Sequence, residues 1–129
     1  MARNQTTDPT QAELEILQIL WQAGPSTVRA VNARLQEKRP VGYTTTLKLL
    51  QIMAQKKLVL RSVRGRSHLY RANLVREQVQ ERLVAKLINA AFSGSAMNLV
   101  MQAYGRHKPT AMEIGQLRQW LDEMERGEK

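Results

Sequence analysis

The feature that most constrains this 129-residue chain is a change of periodicity part-way along it. Three segments with helical spacing come first, a strand-like stretch follows, and helical spacing then returns. Thr10-Gln-Ala-Glu13 has the pattern of a capping box. Behind it Leu14, Leu17, Leu20 and Trp21 recur on one helical face, which Ile16 and Ile19 widen. Gly24-Pro25 stops that helix. Ser26 or Thr27 is suited to cap a second helix, with Val28, Val31 and Leu35 inward and Arg29, Asn32 and Gln36 outward. Lys38-Arg39-Pro40 breaks it. Thr44 is the expected cap of a third helix running to about Lys57, with Thr46, Leu50 and Met53 as its inward stripe. Leu58 to Val63 reads as a strand, Arg64-Gly-Arg-Ser67 as a turn, and His68 to Arg71 as a returning strand. The expected fold class is therefore mainly α, with a winged helix-turn-helix domain over residues 10–72.

Residues 1–9 read as a flexible tail and 73–129 as a helical region. Val79, Leu83 and Leu87 line a helix that ends near Phe92, where Ser93-Gly94-Ser95 interrupts. A short helix covers about Ala96 to Tyr104, and Gly105 to Pro109 is a break with a basic cluster. Thr110-Ala-Met-Glu113 is a second capping box, opening a helix with Ile114, Leu117, Leu121 and Met124, and Trp120 beside them. These helices have apolar stripes and few core partners, so they pack either on each other or on a second copy.

Charge narrows the function. Between Glu37 and Glu77 there is no acidic residue, yet ten Lys or Arg. Residues 1–72 carry +8 of the total +9. A one-signed block within a foldable segment indicates an anionic partner, first of all nucleic acid. The chain has no cysteine, which excludes disulfides and thiolate metal sites. No apolar run approaches a membrane span, the first ten residues lack a secretory pattern, and a cytoplasmic location is expected. His68 and His107 have no ligand-spaced partners, so no metal or other cofactor is expected. There is no phosphate-binding glycine loop and no nucleophile elbow, and an enzyme is not expected.

Thr44, Thr45 and Lys48 fall at the start of the third helix, the part of a helix-turn-helix that reaches base edges. Tyr43 is open to either a phosphate or a packing role, and Leu47 to either DNA or a neighbouring helix. Arg64-Gly65-Arg66 is the expected wing tip, whose guanidinium groups lie along a duplex backbone or enter a minor groove. The expected DNA-facing set is Thr27, Lys38, Arg39, Tyr43, Thr44, Thr45, Lys48, Arg61, Arg64, Arg66 and Arg71. A nonspecific architectural DNA-binding protein shares this charge pattern and is the alternative.

The run Glu13 to Trp21 followed by Gly24-Pro-Ser-Thr-Val28 resembles the opening of the penicillinase-repressor (BlaI/MecI-type) family. Gly42 to Gln51, Lys57 to Arg61 and Arg64 to Arg71 resemble that family's recognition helix and wing. The resemblance runs from about residue 10 to 125. It implies a homodimeric repressor that binds a double-stranded, inverted-repeat operator and dimerises through its C-terminal helices. The dimer residues it implies are Leu83, Leu87, Leu99, Ile114, Leu117, Trp120, Leu121 and Met124. Some family members are inactivated by a regulatory protease at an Asn-Phe bond. Gln102-Ala103 stands at the matching place, a departure from that pair.

Overall fold

Side-chain acceptors set where most of the helices begin. The structure, a computed structural model, describes residues 8–127. Its elements are α1 (Gln11–Ala23), α2 (Val28–Gln36), α3 (Tyr43–Gln55), β1 (Val59–Arg64), β2 (Ser67–Ala72), α4 (Arg76–Ala91), α5 (Ala96–Arg106) and α6 (Ala111–Glu125). Thr10 and Thr110 form both halves of their capping boxes, and Thr27 and Ser95 accept from the third residue beyond them. The α3 helix differs. Its N-cap is Gly42, not the expected Thr44, and no side chain caps it. Gly42, two residues after Pro40, already has extended geometry, so the turn into the helix falls two residues before Thr44.

The first of two compact units ends at Leu83 and holds the core. Ile16, Leu17, Val31, Leu35, Leu50, Met53, Leu58, Val59 and Tyr70 are buried together. Thr46, Leu50 and Met53 form the inward stripe of α3 as the spacing predicts. Leu47 packs part-buried against the core. The hairpin pairs β1 and β2 antiparallel, with Val59 opposite Ala72 and Arg64 opposite Ser67. Ser26 joins β2 as a single bridge: its N–H donates to the Tyr70 carbonyl at 2.9 Å, and the Tyr70 N–H returns to the Ser26 carbonyl at 2.8 Å. The loop before α2 thereby fixes the hairpin to the helical bundle.

The polar contacts of three residues inside this unit do not appear in local sequence pattern. Glu13, 2% exposed, accepts from Lys56 at 2.8 Å as well as from its own cap residue. Burial raises the Glu13 carboxyl, but the Lys56 ammonium and the Thr10 N–H outweigh it and hold the group below the ordinary carboxylate value. Asn32, expected to face outward, instead turns toward α3 and donates to Val41 and Thr46. The buried Thr46 oxygen and the Val41 carbonyl need a donor there, and α2 supplies it. Trp21 combines packing with a hydrogen bond from Nε1 to the Leu74 carbonyl at 3.0 Å.

The fully enclosed Leu50 side chain links α3 to the rest of this core. Leu50→Ala is expected to lower unfolding free energy by about 2–5 kcal/mol, from lost burial and the cavity left behind. Denaturant titration checks this, and a loss under ~1 kcal/mol contradicts the core assignment.

The second unit begins at Val84 and contains the end of α4 with α5 and α6. The helix α5 runs through Gly105 to Arg106, further than the expected break. A glycine within a last turn weakens a helix without stopping it. No residue of α5 or α6 is buried. Among the described residues no single helix is long and apolar enough to cross a membrane.

Candidate nucleic-acid interface

Burying Thr46, Leu50 and Met53 forces the opposite side of α3 outward. That side carries Thr44, Lys48, Gln51 and Gln55 at steps of three or four, with Thr45 and Tyr43 beside its start; all six are exposed. Gln51 was not among the sequence-predicted site residues. Its signal is its place one turn beyond Lys48 and an amide that can pair with an adenine edge. Because Gly42 offers no capping side chain, the first backbone N–H groups of α3 are left to outside acceptors.

An open cleft separates the start of α3 from the hairpin. It is lined by Thr27, Val28 and Arg29 at the start of α2, Tyr43 and Leu47 of α3, and Arg66, Ser67, His68 and Tyr70 of the hairpin. The structure thus brings Thr27, Tyr43 and Arg66 together. It adds Arg29 and His68, which sequence reasoning left out because their approach depends on the hairpin folding back over α2. Half of Tyr43 is exposed at 49%. Thr27 uses its hydroxyl oxygen to cap α2, accepting from Ala30 at 3.1 Å.

The hairpin arginines do not share one surface. Register places Arg61 opposite Tyr70 and Arg71 opposite Leu60. Alternation then puts Arg61 on the face that Val59 and Tyr70 bury at their end, and Arg64 and Arg71 on the other. Arg66 sits at the turn, next to Gly65 with φ of 61°. Among the described residues, Lys48, Arg61, Arg64, Arg66 and Arg71 enter no ion pair. Two other cations of the acid-free block are differently placed. Arg39 pairs with Glu15 of α1 at 2.7 Å, and Lys56 with Glu13. Lys38 lies exposed in the loop between α2 and α3.

A family model described as penicillinase repressor matches residues 9–123. The chain belongs to the penicillinase repressor family. Members of this family are transcriptional repressors, and the fold is a winged helix-turn-helix with a helical C-terminal region. The transcriptional regulator BlaI of Mycobacterium tuberculosis is 34% identical over 117 residues, spanning 89% of this chain and 83% of the relative. Two strains carry it with the same identity. Among solved structures, the DNA binding domain of the repressor BlaI aligns with a TM-score of 0.49 at 20% identity, covering 55% of this chain and 89% of that domain. The Bacillus licheniformis BlaI monomeric form in complex with the blaP half-operator aligns with a TM-score of 0.48 at 20% identity, covering 56% and 90%.

Outside the DNA-facing set, Leu83 belongs to the first unit and is half-buried. In the second unit Leu99 and Leu117 are half-buried, while Leu87, Ile114, Trp120, Leu121 and Met124 are exposed. Gln102 and Ala103 are exposed but lie inside α5, in helical backbone. Of the acidic group near the C-terminus, Asp122 and Glu125 are exposed and Glu123 half-buried; Glu128 lies outside the described residues.

Proposed function

We propose that this chain is a homodimeric repressor that recognises an inverted-repeat operator, one α3 helix per half-site. The observation that carries this reading is the joining of two surfaces. The exposed Thr44–Lys48–Gln51 stripe lies beside a cleft whose far wall carries Arg66 and His68, in a region without acids. A helix tip in the major groove and a wing along the backbone use those surfaces together. In this reading Thr44, Thr45 and Lys48 contact base edges. Tyr43, Thr27, Arg61, Arg64, Arg66 and Arg71 contact phosphate or a minor groove, and Lys38 and Arg39 flank them. Arg39 contributes less, because Glu15 already offsets its charge. The likeness to a relative named as a transcriptional regulator supports the same function.

Dimerisation is supported by the second unit's exposed apolar stripes. Leu87, Ile114, Trp120, Leu121 and Met124 are each at least 39% exposed, and no residue of α5 or α6 is fully buried. A second copy covers such faces at little cost in specificity, and a two-fold protein matches a two-fold operator. The protein works as a cytoplasmic DNA-binding regulator in this reading. Release by a regulatory protease at Gln102-Ala103 requires α5 to unwind locally first, because proteases bind extended chain.

Footprinting the full chain on the DNA upstream of its own coding sequence tests the proposal. A protected inverted repeat is expected. Protection without sequence preference at near-physiological salt favours the architectural alternative instead. Two variants separate the contacts. Lys48→Ala is expected to weaken operator binding by about 1–3 kcal/mol and to relax preference at one or two base pairs. Arg66→Ala is expected to weaken operator and unrelated DNA alike and to lower the salt slope by about one. If both variants bind as the parent does, the groove assignment is wrong.

A further inference from the structure

We propose that Asn32, on α2, is the positioning residue that aims the N-terminus of α3, and that it governs sequence discrimination without touching DNA. The inference rests on the operator-binding reading above. Its basis is a small polar network at the start of α3. Asn32 Nδ2 donates to the Val41 carbonyl at 2.9 Å and to Thr46 Oγ1 at 2.9 Å. Thr46 Oγ1 in turn donates to the Gly42 carbonyl at 3.2 Å. Asn32 Oδ1 accepts from Gln36 Nε2 at 3.3 Å, so both ends of the amide are engaged.

The network lies at a helix start that no side chain caps. The helices α1, α2, α5 and α6 each have a side-chain cap, and α3 has none. The two residues that lead into α3, Val41 and Gly42, are held through their carbonyls by Asn32 directly and by Thr46 in relay. Thr46 is fully buried, and its hydroxyl finds its donor only by reaching across to α2. The amide orientation is fixed chemically: a flipped Asn32 sets its oxygen against the Val41 carbonyl. Thr44, Thr45 and Lys48 project from the same first turns. A change in helix direction at Gly42 therefore displaces their tips relative to base edges. Phosphate contacts from the hairpin are long, charged and tolerant of such a shift, whereas base contacts are not.

Asn32→Asp places a carboxylate, with no N–H to donate, against the Val41 carbonyl and competes with Gly42 for the Thr46 hydroxyl proton, and Asn32→Ala removes the donor. Either variant is expected to lose about tenfold or more in affinity for the footprinted upstream fragment. Affinity for a scrambled duplex of equal length, and the salt slope on it, stay within about twofold of the parent. Thr46→Val and Thr46→Ser give an independent arm that leaves Asn32 intact. Val breaks the relay and reproduces the selective loss, while Ser keeps the hydroxyl and restores discrimination. Thermal melting monitors the fold, and discrimination is compared well below each midpoint. If operator and scrambled DNA weaken in parallel, or if neither weakens, Asn32 and Thr46 serve stability alone and the proposal is overturned. A parent chain that does not discriminate between the two duplexes overturns the operator reading, and this inference with it. A parent that discriminates, beside variants that do so equally well, overturns this inference only.

Discussion

Leu121→Glu is expected to turn the proposed dimer into a monomer on sedimentation and to weaken operator binding at least about a hundredfold. The side chain lies on α6 at 51% exposure, between Trp120 at 56% and Met124 at 55%. Within one protomer the change is tolerable, because the helix already shows this position to water and glutamate is a good helix former. In a seam between two copies the carboxylate must lose its hydration without gaining a partner, at a cost of several kcal/mol. In the dimer proposed above, operator binding falls because two half-site contacts on one body act with an effective concentration far above that of free protein. Circular dichroism of the variant should match the parent, which separates loss of association from loss of fold. A dimer that survives unchanged excludes α6 as the main contact between copies.

Raising salt from 50 to 200 mM is expected to weaken DNA binding by roughly a thousandfold or more, if about six to ten phosphates are neutralised per dimer. Lys48, Arg61, Arg64, Arg66 and Arg71 supply five cations per protomer that no carboxylate among the described residues already occupies. Each phosphate they meet releases a counterion, so the logarithm of affinity falls linearly with the logarithm of salt. Arg64 and Arg71 stand on the hairpin face opposite Arg61, so a single flat duplex surface does not engage all of them equally. The measured slope therefore counts how many arginines the wing brings to bear. A fall of less than tenfold over that range contradicts phosphate binding as the main source of affinity and favours a protein partner for this surface.

The helices of the first unit are legible in the sequence because their signals are local. The Thr10 capping box, the Gly24 stop and the buried spacing of Thr46, Leu50 and Met53 all lie within one helical turn or two of the residues they organise. The hairpin is equally readable from Gly65 and the strand-like runs that flank it. What the sequence does not show is polar pairing across elements. Asn32 lies one turn from Val28 and Leu35, at the margin of the α2 apolar stripe, where its polarity reads as outward, yet a buried hydroxyl of α3 draws it inward. Lys56 and Arg39 count toward the acid-free block in one dimension but meet Glu13 and Glu15 of α1 in three. The candidate site follows the same rule. Thr44, Thr45 and Lys48 are read as candidates from their place in α3, while Arg29 and His68 join the cleft only through the fold-back of β2, fixed by the Ser26–Tyr70 bridge.

That bridge has a further consequence for the hairpin's margins. One side of β2 is partly sheltered by Ser26, whereas the outer margin of β1 has no neighbouring strand among the described residues. Bare ladder groups of this kind invite zippering between molecules, above all where many copies crowd together. Arg61 and Arg64 interrupt Leu60, Ser62 and Val63 along that margin. Two hairpins brought side by side would set like charges against each other, which opposes such pairing.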